Sequence, residues 1–179
     1  GTETGAKEQA ETVQAIAEEF GGSAFQWTSK MEDRNKLWQA RHDAYYAAIA
    51  LRSGCQGWAT DVCVPVSRLA ECINETKDDL EKTGLISPLV GHVGDGNFHM
   101  LYIVDPNNQE EMAKAQAHSD RMVMRALEMG GTCTGEHGVG YGKIHFLTNE
   151  HGDAMSLMRS LKTAFDPDNI MNPGKIVNI

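Results

Sequence analysis

Apolar residues recur at helical spacing in five stretches of the chain. Repeats of three and four positions predict helices over residues 7–20, 31–52, 67–82 and 110–129, and over most of 144–165. Glycines follow the first, third and fourth of these stretches and are typical of helix ends. The helical segments are separated by shorter stretches with a different pattern.

Four of the shorter stretches have the composition or the alternation of β-strands. They read "SAFQWTS", "GWATDVCVPV", "ISPLVGHV" and "NFHMLYIVD". The last two follow each other closely and predict an antiparallel hairpin. We therefore expect an α+β fold with helices on one face of an antiparallel sheet, followed by a C-terminal helical segment and the irregular tail "DPDNIMNPGKI".

The hairpin stretch "GHVGDGNFHM" contains two histidines, His92 and His99. A two-residue turn at Asp95 and Gly96 would place these histidines directly opposite each other. Opposed residues project from one face with Cβ atoms roughly 4.5–5.5 Å apart, so two imidazoles could share one metal ion. The alternative is a histidine pair that packs in the core.

A second motif, "CTGEHGVG", places Glu136 beside His137 between two glycines. If the chain bends here, Glu136 becomes the third ligand of a site with two histidines and one carboxylate, which suits Zn, Mn or Fe. His137 is then free to act as a general base, because imidazole is well suited to accept a hydroxyl proton at neutral pH. The motif thus predicts a metal centre with a base beside it.

Composition narrows the function classes. The chain has 179 residues and a formal net charge of -9, which argues against a nucleic-acid partner. No apolar run approaches the roughly 18–20 residues of a membrane span, so we expect no transmembrane segment. Four cysteines without a CxxC pair favour reduced thiols. The chain begins without a preceding strand, which indicates a segment of a longer protein.

Other polar residues have an ordinary structural interpretation beside a functional one. Arg41 could clamp a carboxylate, although the residues alone favour a solvated helix face. Asp61 in "TDVCVP" is interpreted as a strand-end hydrogen-bonding group, and Asn172 in the tail is uninformative by itself. The remaining histidines are assigned to the surface or to packing: His42, His118, His145 and His151.

Five stretches together resemble a known family. "LWQARHDAYYAA", "TDVCVPVSRL", "GHVGDGNFHM", "GGTCTGEHGVGYGK" and "DPDNIMNPGKI" are similar, in the same order, to FAD-linked D-lactate dehydrogenases. That family includes the glycolate oxidase flavoprotein subunit and D-2-hydroxyglutarate dehydrogenase. In it, an N-terminal flavin domain precedes a ferredoxin-like substrate domain. The resemblance implies that residues 1–179 form a partial substrate-binding domain and that the FAD-binding domain, absent from this chain, acts in cis. The fragment alone is expected to be inactive.

The resemblance also implies roles for individual residues. A divalent metal would lie on His92, His99 and Glu136, with His137 as the base. Arg41 would hold the substrate carboxylate and Asn172 would lie near the flavin. The implied reaction is oxidation of D-lactate or a similar small D-2-hydroxy acid, with hydride transfer to FAD and then electron transfer to a downstream acceptor. The location would be cytoplasmic in a bacterium and mitochondrial in a eukaryote.

Three alternatives remain open at this stage. Another enzyme of the same family could oxidise glycolate or D-2-hydroxyglutarate, although the apolar Leu101 on the face of His99 favours a short substrate. The chain could instead be a metal-bearing binding module without chemistry. A metal-dependent hydrolase would also use such a site, but it would leave the tail and the Arg41 helix without a role.

Overall fold

The computed structural model describes all 179 residues, which divide into two compact units, 1–47 and 48–179. Two helices, α1 (Glu3–Glu19) and α2 (Met31–Ile49), occupy the first unit, and α2 ends just inside the second. Both were predicted. The strand predicted over residues 23–29 is wrong, because that segment is irregular and the first unit contains no other strand with which it could form a ladder.

The second unit is built on a small antiparallel sheet. Its strands are β1 (Gln56–Ala59), β2 (Val62–Cys63), β3 (Leu89–His92) and β4 (Asn97–Val104). β4 is central, with β3 on one edge and both β1 and β2 on the other. Since β1 and β2 pair with β4 in the same register, they act as one strand interrupted at residues 60 and 61.

Two longer helices complete the predicted topology. α3 (Leu69–Glu81) precedes the hairpin and α4 (Gln109–Glu128) follows it. After α4, Thr132 forms a single antiparallel bridge with Cys63 on β2. The order is thus strand, helix, strand, strand, helix and a last strand reduced to one bridge, which is the ferredoxin-like arrangement. The α+β fold class is confirmed.

β4 is buried along its whole length, and its two faces pack in different clusters. One face packs against α3 and α4 and provides the main core through Phe98, Met100, Tyr102 and Val104. The opposite face carries Asn97, His99, Leu101 and Ile103, of which the last two pack in a smaller cluster with Ala48. Helices α3 and α4 therefore cover one face of β4, and His99 lies on the other.

A buried polar network lies in the main core. Nε2 of His118 is 3.1 Å from the carbonyl oxygen of Thr76, which can only accept, so this nitrogen carries the proton. Nδ1 therefore accepts a hydrogen bond from the hydroxyl of Tyr102. Burial lowers the pKa of His118 and raises the pKa of Tyr102. His118 is thus a packing residue, as the sequence indicated.

The C-terminal segment is helical and then irregular, as predicted. A short helix α5 (Leu147–His151) leads into α6 (Ala154–Phe165), and no regular element follows. Asp166 is buried at the end of α6 and its carboxylate accepts hydrogen bonds from the amides of Ile170 and Met171, each at 2.9 Å. Lys162 contacts the same carboxylate and the carbonyl of Met171. These contacts order the start of the tail.

Candidate metal and catalytic site

The hairpin brings His92 and His99 to one face, but through a different turn from the predicted one. His92 pairs with Asn97 and His99 pairs with Val90, so the two histidines are diagonal neighbours. The turn has four residues, 93–96, and ends at Gly96 with a φ of 79°. The register differs from the predicted one by two positions, and such a shift keeps every side chain on its face. The ring centroids lie 6.3 Å apart.

The loop after α4 carries Glu136 to these histidines. Its Oε1 atom is 2.9 Å from Nε2 of His99 and 3.5 Å from Nε2 of His92. The ligand atoms that these three residues offer all lie within 4.8 Å of one another. The structure therefore brings together the three predicted metal ligands, although Glu136 lies 37 residues beyond His99 in the chain.

The orientation of the His99 ring follows from its second nitrogen. Nδ1 lies 2.8 Å from the carbonyl oxygen of Thr60, and a carbonyl can only accept, so Nδ1 carries the proton. In the neutral ring, Nε2 is then a lone-pair acceptor that faces the carboxylate oxygen of Glu136. Two acceptors at 2.9 Å need a cation between them, either a proton or a metal ion. Donation from the other ring nitrogen to a carbonyl is also the usual arrangement of a metal-bound histidine.

His137 lies beside this group and is more exposed. Its Nε2 atom is 3.5 Å from Oε1 of Glu136, and its ring centroid is 5.2 Å from that of His99. The side chain is 61% exposed, against 9% for His99. His137 is therefore accessible from solvent, and its Nε2 atom lies close to the same Glu136 oxygen as the two predicted histidine ligands.

Asp61 anchors the loop, and sequence reasoning gave it only an ordinary role. Its buried carboxylate accepts hydrogen bonds from the Asn97 side chain at 2.8 Å, the Thr134 hydroxyl at 2.9 Å, and the amides of Glu136 and His137 at 3.0 and 2.9 Å. Burial alone would raise the pKa of Asp61, but the hydrogen bonds from His137, Asn97, Glu136 and Thr134 outweigh it and hold the pKa well below its usual range.

A lysine adds to the same anchor. Nζ of Lys143 donates to the backbone carbonyl of Asp61 at 2.7 Å and lies 3.6 Å from its carboxylate. Burial lowers the pKa of this lysine. The sequence did contain one signal for the anchor, since a charged residue in the middle of the apolar alternation "ATDVCVPV" needs buried partners. Those partners come from residues too distant in sequence to be identified.

The glycine before Glu136 is required by packing. A Cβ atom at Gly135 would lie 1.9 Å from the Asn97 side-chain nitrogen and 2.9 Å from the Asp61 carboxylate. The backbone of the loop thus passes directly over the Asp61 and Asn97 side chains. The motif "TGEHG" is explained by this close approach together with the bend that carries Glu136.

Asn172 lies near the end of the same loop. It lines an open cavity of about 540 Å³ together with Gly138, Gly140, Phe165 and other residues of the tail. The amide of Ile176 donates to the carbonyl of Gly140 at 3.0 Å and ties the tail to the loop. The tail residue predicted to lie near the flavin is therefore a neighbour of the segment that follows His137.

Arg41 is the one predicted site residue in the first unit. It lies on α2, is exposed, and places its guanidinium carbon 5.2 Å from the centroid of the Trp38 ring. This contact is a cation–π arrangement that leaves the guanidinium accessible. Its assignment to the substrate carboxylate stays a prediction.

None of the helices is both long and apolar enough to cross a membrane.

Several curated proteins are similar to this chain. A probable mitochondrial D-lactate dehydrogenase of Danio rerio is 48% identical over 180 residues, covering 100% of this chain and 36% of the relative. A mitochondrial D-lactate dehydrogenase (cytochrome) of Arabidopsis thaliana is 43% identical over 99% of the chain and 31% of the relative. The glycolate oxidase subunit GlcD of Bacillus subtilis is 34% identical over 93% of the chain and 35% of the relative. The chain thus spans about a third of these relatives.

The family profile described as the C-terminal domain of FAD-linked oxidases matches residues 1–176. This match covers nearly the whole chain and includes both histidine-bearing motifs of the site. The chain therefore belongs to the FAD-linked oxidase family and corresponds to its C-terminal domain.

Proposed function

We propose that the protein containing this chain oxidises D-lactate, or a similar small D-2-hydroxy acid, to the 2-oxo acid with FAD as the electron acceptor. The chain, residues 1–179, would supply the substrate-binding part, and an FAD-binding domain in cis would hold the flavin. The observation that carries the proposal is the convergence of His92, His99, Glu136 and His137 in a chain of this family.

The donor set fits a divalent metal ion. Two imidazole nitrogens and one carboxylate oxygen lie within 4.8 Å of one another, and Nε2 of His99 faces Oε1 of Glu136. His92, His99 and Glu136 would hold the ion and leave positions for a substrate, as suits Zn, Mn or Fe. When bound, such an ion supplies Lewis-acid polarisation of the substrate oxygen atoms.

The chain's own residues would then perform orientation and proton transfer. His137 would accept the hydroxyl proton at Nε2 as the two electrons and the α-hydrogen pass to FAD. Arg41 would bind the substrate carboxylate in a two-pronged contact, which suits a guanidinium better than an ammonium group. Asn172 would contribute to the flavin side of the site, where it lines the cavity next to the loop.

The names of the relatives favour a short substrate. Leu101 does not bear on this choice, because it is buried with Ile103 and Ala48 and is not exposed beside His99. Four of the similar proteins are named D-lactate dehydrogenases and are 41–48% identical to this chain. Glycolate is the second candidate, since a glycolate oxidase subunit is also 34% identical.

The names of the relatives also support the remaining assignments. Several are mitochondrial, and three are named for a cytochrome, which supports electron transfer from FAD to a downstream protein acceptor. We infer a mitochondrial location in a eukaryotic source and a cytoplasmic one in a bacterial source.

The proposal is tested with the complete flavin-containing enzyme. Reduction of an artificial electron-accepting dye is measured with D-lactate, L-lactate, glycolate and D-2-hydroxyglutarate. We expect the highest kcat/KM for D-lactate, and a preference for glycolate or D-2-hydroxyglutarate would assign the protein to another branch of the family. Absence of dye reduction with all four acids, in a preparation with bound FAD, would contradict the proposal and favour a non-catalytic module.

A further inference from the structure

The dipeptide Thr60–Asp61 contacts both parts of the proposed site. It lies in the interruption between β1 and β2, directly beside the part of β4 that carries His99. The Thr60 carbonyl accepts the Nδ1 proton of His99 at 2.8 Å. The Asp61 carboxylate accepts three donors from the loop that carries Glu136. The Thr60 backbone and the Asp61 side chain thus orient one proposed ligand on the sheet and one on the loop.

The contacts to Asp61 fix a particular peptide. Both the Glu136 amide and the His137 amide donate to the same oxygen, Oδ2, at 3.0 and 2.9 Å. The Thr134 hydroxyl donates to this oxygen as well, at 2.9 Å. Because two consecutive amides are held at one point, the two side chains leave the backbone in defined directions. Glu136 is then directed to the histidines, with His137 beside it.

Asp61 is itself held in place. Asn97 donates through one side-chain nitrogen to Asp61 at 2.8 Å and to the carbonyl of Val62 at 3.0 Å. The Asp61 residue is 2% exposed, so its charge is compensated by these donors and by Lys143 rather than by water. The anchor is therefore rigid on the sheet side, and the loop is attached to it.

We infer that Asp61 is a positioning residue of this enzyme, which acts through Glu136 and His137 and does not touch the substrate. The inference rests on the proposed function, because it assigns Asp61 to the metal and the base proposed above. Partners one step removed from a metal typically change its affinity 10–100-fold when they are substituted. Asp61 differs from the usual case because it orients the backbone that carries Glu136, whereas such partners usually orient a histidine ring.

The test uses two pairs of variants of the flavin-containing enzyme. Asp61→Asn keeps the shape but replaces one acceptor oxygen with a donor. Thr134→Val removes one loop donor, and Thr134→Ser keeps the hydroxyl as its matched control. Asp166→Asn is the control for Asp61, because it also removes a buried carboxylate that binds two amides, but in the tail. Mn²⁺ affinity is measured by titration, and amide hydrogen exchange is measured for Glu136 and His137.

We expect Asp61→Asn to weaken Mn²⁺ binding about 10–100-fold. The exchange of both amides should increase about tenfold or more, because each amide loses a hydrogen bond to a charged acceptor. Thr134→Val should change both in the same direction by less, whereas Thr134→Ser and Asp166→Asn should leave both close to wild type. If Asp61→Asn does not fold, the two Thr134 variants decide the question. Equal Mn²⁺ affinity and equal amide exchange in Thr134→Val and Thr134→Ser would overturn the inference.

The two proposals can fail separately. A folded Asp61→Asn enzyme with wild-type Mn²⁺ affinity and unchanged exchange at Glu136 and His137 would overturn the positioning role and leave the proposed function intact. A wild-type enzyme that binds no Mn²⁺, Zn²⁺ or Fe²⁺ would contradict the metal centre. The exchange of the two amides and the KM and kcat of dye reduction would then still decide whether Asp61 orients the loop.

Discussion

Nδ1 of His99 donates its proton to the backbone carbonyl of Thr60, 2.8 Å away. This contact determines which nitrogen of the ring faces Glu136. The neutral ring then offers only a lone pair to a carboxylate oxygen 2.9 Å from it. The two groups attract each other only when a cation lies between them, and His92, the remaining proposed ligand, is 3.5 Å from the same carboxylate oxygen.

A divalent ion should stabilise the folded enzyme through these ligands. At an Mn²⁺ concentration 100 times the dissociation constant, we expect the free energy of unfolding to rise by about 2.7 kcal/mol and to fall again with a chelator. His99→Gln should abolish this gain, and the exposed His151→Gln should retain it. Urea unfolding with and without Mn²⁺ measures the effect. An equal gain in His99→Gln would contradict the ligand assignment.

His137→Ala should impair turnover in the flavin-containing enzyme. General-base catalysis typically contributes about 10²–10⁴-fold, so kcat for the preferred 2-hydroxy acid should fall by that factor while metal content stays unchanged. The exposed His145→Ala serves as the control. Steady-state dye reduction and metal analysis on the same samples provide the measurement. Wild-type kcat in His137→Ala would remove this residue from the mechanism.

Gly135→Ala should destabilise the loop. The added methyl would lie 1.9 Å from the Asn97 side-chain nitrogen, and relief requires the backbone to move away from Asp61. Such overpacking typically costs about 1–3 kcal/mol. Gly142→Ala is the matched control, because a Cβ atom there meets nothing within 4 Å. The urea midpoints of the two variants should therefore differ clearly. Similar midpoints would show that the loop adapts without strain.

His118 should make the protein less stable in acid. Burial lowers its pKa in the folded protein, whereas an imidazole in the unfolded chain has a pKa of about 6.5. Above that value both states are neutral. Below it the unfolded chain binds a proton that the folded protein does not, so the free energy of unfolding falls as the pH falls, by at most about 1.4 kcal/mol per pH unit.

The contribution of His118 is isolated by comparison. His118→Gln removes the titrating ring, so its free energy of unfolding should depend less steeply on pH between about 7 and 5 than that of the wild type. Urea unfolding at several pH values measures both slopes. Parallel curves would show that other groups account for the acid sensitivity.

Asp166→Asn should loosen the tail that carries Asn172. Its carboxylate holds the amides of Ile170 and Met171, and the charge also pairs with Lys162. Hydrogen bonding to Lys162 lowers the pKa of this carboxyl group, so the contacts persist at neutral pH. Faster hydrogen exchange at Ile170 and Met171, with unchanged exchange in β4, is the expected result. Unchanged exchange at both amides would show that the tail is held by other contacts.

The sequence was sufficient to place His92 and His99 on one face of the hairpin, but not to predict the turn between them. His92 and His99 are seven positions apart, so they share a face in any hairpin register that preserves the alternation. The turn itself depends on tertiary contacts. The carbonyl of Gly96 accepts the Val64 amide at 3.0 Å, and a Cβ atom at this glycine would lie 2.0 Å from the Val64 carbonyl oxygen. A local turn preference could not anticipate that neighbour.

The role of Asp61 could not be predicted from the sequence either, because it also depends on tertiary contacts. Three of its donors lie 73–76 residues away, and no local pattern indicates that separation. The helices α3 and α4 were predictable because their apolar periodicity repeats over several turns. The stretch at residues 23–29 shows the converse, since strand-like composition forms no strand without a neighbouring edge.

The unequal burial of the three proposed ligands bears on the choice of ion. β4 is paired along both edges and buried throughout, which fixes the position of His99, whereas the side chains of His92 and Glu136 are 42% and 45% exposed. Two side chains that can change rotamer beside one fixed imidazole can bind cations of different radius. We therefore expect this centre to be permissive among transition metals, with supply in the cell deciding which one is loaded.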